Sequence, residues 1–397
     1  MLVLEYKVKG KQCQYQAIDE AIRTTQFVRN KALRYWIDAS HEFKIDRFVL
    51  NKYSTELRNE FKFVKDLNSM AVQSAAERAW SAISRFYDNC KKKLSGEKGY
   101  PRFQKDNRSV EYKTSGWSLH ETSRRITFTD KKGIGEVKLL GKWDIHGYSV
   151  KTIKRVRLVR RSNGYYCQFC LDVNSQDIQP LTGFSIGLDV GLESFYTDSN
   201  GHHEPNPKFL KVGEQAIKHA QRRIYKKVKG SSGRRINRAT FSKKHLRISR
   251  QRNEHAKKIA RNLCKSNDLV AYENLTVRNL LKNHCLAKSI SDASWYLFRQ
   301  WIEYFADKFR KLAVAVPPHY TSQKCSKCSA VVKKSLSTRT HVCACGSTLH
   351  RDLNAALNIL NLATDGQSGS NATGVVASTL VGAIQSKQVT TMIVESL

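Results

Sequence analysis

The sequence predicts an α+β chain of more than one domain, and three observations carry that prediction. At 397 residues the chain is longer than a single hydrophobic core usually serves. Its apolar pattern changes character twice: helical spacing first, then short β-rich runs up to about residue 182, then strands alternating with helices. Hydrophobic residues make up 40% of the chain, the ordinary globular share, so most of it has material for a core.

Residues 1–12 read as an opening strand. Ala17 to Trp36 and Asn68 to Leu94 are predicted helices, because residues such as Ala71, Ala75, Trp80, Ile83 and Phe86 recur at helical spacing. From about 98 to 182, runs such as Ile126-Thr-Phe-Thr, Glu136-Val-Lys-Leu-Leu and Tyr165-Tyr-Cys-Gln-Phe alternate with Gly, Asn and Asp. They read as a small barrel or sandwich that the opening strand can join. Cys167 and Cys170 lie in one of these strands, where i and i+3 point to opposite faces, and are read as ordinary semi-buried residues.

A new unit opens at Gly183 with the apolar strand Phe184-Ser-Ile-Gly-Leu-Asp-Val-Gly, and Ser194-Phe-Tyr-Thr-Asp-Ser-Asn-Gly is its hairpin partner. The following stretch, 208–263, holds 19 Lys or Arg and two acids, Glu214 and Glu254; Gly230-Ser-Ser-Gly breaks it into a helical hairpin. Asp268-Leu-Val-Ala-Tyr-Glu is a second buried strand, and Trp295 to Leu312 an amphipathic helix. Its stripe of Trp295, Phe298, Trp301, Phe305 and Phe309 suits core packing better than base stacking. Ala313-Val-Ala-Val-Pro is a third short strand, and Asp352-Leu-Asn-Ala-Ala-Leu-Asn-Ile-Leu the last helix. From residue 363 to 397 the chain is rich in Ser, Gly, Thr and Val without periodicity and is expected to be poorly ordered. The chain has no internal repeats.

Charge points to the partner. Sixty-nine Lys and Arg against 34 Asp and Glu leave a net +35. Such an excess favours a polyanion, since each phosphate neutralised releases a counterion. The one-sided hairpin would repel itself without one. Apolar runs are too short to span a bilayer, and Met1-Leu-Val-Leu-Glu-Tyr-Lys puts charges where a signal peptide needs an apolar core. The expectation is a cytoplasmic protein, nucleoid-associated when bound to DNA, with no membrane partner.

Three acids far apart in sequence are candidates for chemistry. Asp189 comes late in an apolar strand and before Gly191; alone it also reads as a turn cap. Glu273 ends Leu269-Val-Ala-Tyr, where a charge is costly unless it sits at a strand tip or holds a cation. Asp352 follows Arg351 at a helix start, where it also reads as an N-cap. Together they make one site. Phosphodiester hydrolysis needs an activated water and a neutralised leaving oxygen, and two Mg2+ ions about 4 Å apart on carboxylate ligands supply both. The order strand, hairpin, strand, helix is that of an RNase H-like fold.

The other cluster is Cys325-Ser-Lys-Cys328, fourteen residues, then Cys343-Ala-Cys345-Gly346. Paired thiolates around a basic loop read as a structural zinc ribbon. A disulfide pair is disfavoured in a reducing compartment. His341 and His350 stand close enough to replace a ligand of the shortened second pair.

These residues resemble the TnpB family of transposon-encoded RNA-guided DNA nucleases, related to compact type V CRISPR effectors. The resemblance rests on Gly-Leu-Asp189-Val-Gly, Tyr-Glu273-Asn-Leu, the Cys-x-x-Cys after Thr321-Ser-Gln-Lys, and Cys-Gly-x4-Arg351-Asp352-Leu-Asn-Ala-Ala-Leu-Asn-Ile. Arg23-Thr-Thr-Gln-Phe-Val-Arg-Asn and Gly99-Tyr-Pro-Arg-Phe add to it, and it covers roughly residues 1–362. It implies a β-barrel wedge domain (1–12 and 98–182), a helical recognition domain (13–97), a RuvC-type nuclease domain (183–317 and 347–362) and an inserted zinc-ribbon module (318–346).

By the same resemblance, Asp189, Glu273 and Asp352 are the catalytic, magnesium-binding acids, and Cys325, Cys328, Cys343 and Cys345 the zinc ligands. Gln73 becomes a candidate reader of a motif flanking the target, with Ser54 and Thr114 behind it. Arg222, Arg223, Lys226 and Lys227 of the basic hairpin are candidate nucleic-acid contacts. The implied partners are a guide RNA from the transposon end and double-stranded target DNA, met by a monomer with its RNA. Two departures stand out: the shortened Cys343-Ala-Cys345 pair, and His350 where the family often has Asp. A transposase joining strands with the same acids and an RNA-guided DNA-binding regulator are the rival functions.

Overall fold

In the computed structural model, residues 2–39, 43–92, 97–173, 177–335 and 338–365 are described. The opening strand β1 (Leu2–Lys9) alternates as a half-buried strand should: Leu4, Tyr6 and Val8 are buried while Lys7 and Lys9 face solvent. Four helices follow: α1 (Gln12–Ala39), α2 (Arg47–Glu60), the single turn α3 (Lys62–Lys65) and α4 (Ser69–Lys91). Side-chain caps start two of them: Asp46 accepts from the Val49 amide, and Asn68 from the Met70 amide. The helix expected to reach Leu94 is described only to Lys92, since 93–96 lie outside the described residues.

Six strands complete the first unit: β2 (Ser109–Tyr112), β3 (Trp117–Leu119), β4 (Arg125–Phe128), β5 (Gly135–Leu140), β6 (Ile153–Arg161) and β7 (Gly164–Leu171). With β1 they form one antiparallel sheet in the order β2-β6-β7-β1-β5-β4-β3, so the opening strand joins the sheet at its centre. Among the described residues the edge strands β2 and β3 do not pair with each other, so the sheet is open in its hydrogen bonding. The sheet and the helices share a core, in which Ile18 and Ile22 of α1 and Ala71 and Val72 of α4 meet Tyr112, Leu158 and Phe169. Residues 13–97 therefore pack as part of the first unit, which runs to Ser175; the second begins at Gln176.

The second unit holds β8 (Ser185–Val190), β9 (Ser194–Asp198) and β10 (His203–Pro205), then the helical hairpin α5 (Phe209–Tyr225) and α6 (Ser232–Ser266). β11 (Leu269–Glu273), α7 (Val277–Leu280), α8 (Ala287–Ala293), α9 (Trp295–Phe309) and β12 (Leu312–Val316) follow. The short strands β13 (Thr340–Val342) and β14 (Thr348–His350) precede α10 (Arg351–Asp365). The main sheet has the order β10-β9-β8-β11-β12, antiparallel through β8 and parallel from β8 to β12.

Both faces of that sheet are covered, and β11 shows how. Val270 and Tyr272 face a core built with Ile259 and Leu263 of α6 and Phe298, Ile302 and Phe305 of α9. Leu269 and Ala271 face Ile359 and Ala363 of α10. Burial on both faces explains the unbroken apolar run that marked this strand in the sequence. The aromatic stripe of α9 is core, as its spacing suggested. The last helix runs to Asp365, past the 363 boundary expected for the tail, and residues 366–397 lie outside the described residues. Among the described residues no helix is long and apolar enough to cross a membrane.

Candidate metal centres

β8 and β11 run parallel with Leu188 opposite Tyr272, which puts Asp189 and Glu273 one step further on, at the carboxyl ends of neighbouring strands. That edge of a parallel sheet is where open α/β folds place ligands. Asp352 comes from the first turn of α10, whose axis is held against β8 by the absence of a side chain at Gly187. A Cβ there would lie 2.2 Å from the Ala356 carbonyl oxygen and 2.8 Å from the Leu360 amide nitrogen. The glycine before Asp189 thus decides how near α10, and with it Asp352, approaches the strand. Asp352 lies inside the helix, after Arg351, and is not the N-cap that the sequence also allowed.

Asp189 lies within the electrostatic reach of the other two acids. Asp189 keeps some solvent exposure, but protein atoms pack closely round its carboxyl group. Burial, then the negative charges of Glu273 and Asp352, push its proton affinity well above the usual carboxylate range, against the pull of Arg351. Burial raises Glu273 as well, opposed by a hydrogen bond from the Thr321 hydroxyl. Around Asp352, Arg339 Nη1 stands 3.9 Å from the carboxylate and His350 Nδ1 4.0 Å. Arg339 also pairs with Glu193 at 3.1 Å. Beside Glu273, Arg299 donates to Asn274 and Glu303, and Tyr272 donates to Glu303. A set of hard oxygens in mutual repulsion suits a hard divalent cation such as Mg2+ and not a thiophilic one.

The cysteine cluster differs in chemistry and in state. The sulfurs of Cys325, Cys328, Cys343 and Cys345 lie within 4.8 Å of one another, and theirs is the only group of that closeness among the described residues. Cys325 and Cys345 approach to 3.7 Å, Cys328 and Cys343 to 3.5 Å. The shortened pair reaches because Gly346, at φ +82°, turns the chain back, with the Gly346 amide donating to the Cys343 carbonyl. Burial raises the Cys325 thiol, but the amides of Cys328 and Lys327, with His341 and Cys345, outweigh it and lower its proton affinity, while the neighbouring sulfurs raise that of Cys328. Four convergent thiols with one biased to thiolate fit a structural zinc site. The four sulfurs gather without either histidine: His341 Nδ1 contacts Lys334, and His350 packs edge-on to His203 beside Asp352.

The remaining predicted residues divide. Ser54 is buried in α2, and its hydroxyl donates to the Asn51 carbonyl at 2.7 Å. Gln73 on α4 accepts from Lys113, and exposed Thr114 is the next residue along, so these two lie together. Arg222, Arg223, Lys226 and Lys227 are all exposed at the end of α5. Sequence reasoning missed Thr321, Arg339 and two buried asparagines of α10, Asn354 and Asn358. Paired Asn in an Ala/Leu-rich helix, four residues apart, was the available signal.

Two family models match the chain: one described as "Probable transposase" over residues 168–284, the other as "Cas12f1-like, TNB domain" over 295–359. A protein of Streptomyces pristinaespiralis named "Putative RNA-guided DNA endonuclease" is 31% identical over 306 residues, covering 76% of this chain and 73% of that one. "Putative RNA-guided DNA endonuclease InsQ" of Escherichia coli (strain K12) is 26% identical over 336 residues, covering 76% of each. Among solved structures, a chain from the cryo-EM structure of a Cas12f1–sgRNA–target DNA complex superimposes with a TM-score of 0.54 at 13% identity. The match covers 88% of this chain and 83% of that one, a likeness of fold.

Proposed function

The chain belongs to the TnpB family of RNA-guided DNA endonucleases, and from that premise we propose that it cleaves double-stranded DNA beside a short flanking motif, with Mg2+, under the direction of an RNA from its transposon's end. The observation that carries the reading is the meeting of Asp189, Glu273 and Asp352, distant in sequence, in one field at the carboxyl edge of a parallel sheet. A protein that only bound DNA would gain nothing from acids facing its phosphates.

In this reading Asp189, Glu273 and Asp352 hold divalent cations. Bound there, Mg2+ would activate water and neutralise the leaving oxygen. The protein's own part is positional: strand register sets Asp189 beside Glu273, and Gly187 lets α10 bring Asp352 alongside. Cys325, Cys328, Cys343 and Cys345 hold structural zinc. The RNA supplies sequence specificity by pairing, while the protein reads backbone and flanking motif. Gln73 and Thr114 are the motif-reading candidates, and Arg222, Arg223, Lys226 and Lys227 are phosphate contacts.

The test is to sequence the RNA that co-purifies with the protein, reprogram its guide segment, and challenge the complex with a plasmid library randomised beside the target. Cleavage should follow the reprogrammed sequence and select one flanking motif. Absence of bound RNA, or cutting indifferent to its sequence, overturns the reading. The description "Probable transposase" matched over 168–284 favours one rival, and strand-transfer products in the same assay would reveal it.

A further inference from the structure

We propose that Thr321 is a positioning residue for Glu273, held in place by Asn354 and Asn358, so that the cysteine knuckle and the acidic site form one mechanical unit. The inference rests on the acidic site proposed above. Thr321 is buried and its hydroxyl donates to Glu273 Oε1. One carboxylate oxygen is thereby fixed and the other left to a cation, the arrangement by which outer hydrogen bonds orient metal ligands.

The backbone carrying Thr321 is held from α10. Asn358 Nδ2 donates to the Thr321 carbonyl at 2.8 Å and to the Lys324 carbonyl at 2.7 Å. Asn354 Nδ2 donates to the same Lys324 carbonyl at 2.7 Å, and its Oδ1 accepts from the Ser326 amide at 2.9 Å. These bonds flank Cys325 on both sides. Asn354 is fully buried and Asn358 nearly so, and their spacing puts both on one face of the helix that begins with Asp352. One helix therefore presents Asp352 and grips the loop that orients Glu273. The segment before the first cysteine pair belongs to the scaffold of the acidic site.

The experiment measures Mn2+ binding by electron paramagnetic resonance in the full-length protein with its RNA, alongside zinc content. The sites that Asp189→Ala abolishes are taken as those of the acids. Thr321→Val should weaken Mn2+ at those sites about tenfold with zinc retained, and Thr321→Ser, which keeps the hydroxyl, should bind as the parent does. Asn358→Ala, which leaves the hydroxyl intact, should weaken Mn2+ in the same direction. Thr321→Val and Asn358→Ala both binding within twofold of the parent, while Asp189→Ala abolishes binding, would overturn the inference and leave the acidic site standing. Mn2+ binding unchanged in Asp189→Ala would overturn both.

Discussion

The second unit carries two candidate metal centres built in opposite ways. The four cysteines come from two local turns within about twenty residues, and their sulfurs are already gathered. The three acids come from two strands and a helix, and they repel one another: Asp189 holds its proton tightly because of burial and of Glu273 and Asp352. A closed thiolate site organises the fold around itself, whereas an open carboxylate site is held together by the fold against its own charge. The first should govern stability, and the second should cost stability and supply activity.

Breaking the thiolate side gives the largest expected effect on folding. Cys325→Ser removes the more deeply buried of the two buried ligands, so zinc content should fall to zero. The second unit should lose several kcal/mol, since metal binding to such modules is folding free energy. Atomic absorption and a thermal melt check both. A melt unchanged while zinc is lost would erase the distinction between the two centres.

Gly187→Val comes next. The added side chain meets backbone of α10, so the helix must move, at a cost of about 1–3 kcal/mol or somewhat more. Mn2+ affinity at the acids should drop while zinc stays bound. Equal affinity would mean that α10 does not set the acidic site.

Asp189→Asn gives the smallest shift, and its sign is the informative part. A carboxyl group that binds its proton more tightly folded than unfolded destabilises the fold as pH rises through the ordinary carboxylate range. The amide removes that cost. The metal-free variant should therefore melt about 2–4 °C above the parent at pH 7, the size of about 1 kcal/mol in a domain of this length. The gain should shrink as pH falls toward about 4, and saturating Mg2+ should reverse the order.

Much of the acidic site could be seen in the sequence, because an acid at the end of an apolar run is anomalous: Glu273 after Leu269-Val-Ala-Tyr, Asp189 after Ile186-Gly-Leu. The cysteines were plain from spacing alone. What the sequence hid was relation. Gly187 reads as a weak spot in a strand until α10 is seen lying on it. Thr321, Asn354 and Asn358 read as ordinary polar residues, since their partners are backbone groups and one distant carboxylate. Ser54 illustrates the same point: its burial and its bond to the Asn51 carbonyl depend on how α2 packs, not on local sequence. Helices α2 and α3 were missed because their few apolar residues, such as Leu50, Leu57 and Val64, are scattered among charges and pay off only in tertiary packing.

The most direct test of the account is target cleavage by the purified protein–RNA complex, parent against Asp189→Ala, in Mg2+ and again in EDTA, with DNA binding measured in parallel. The parent should cut only with the metal. Asp189→Ala should bind the target as the parent does and cut at least about a thousandfold more slowly, because the site that activates water is gone. Cleavage at the parental rate by Asp189→Ala would contradict the claim that these three acids form the active site.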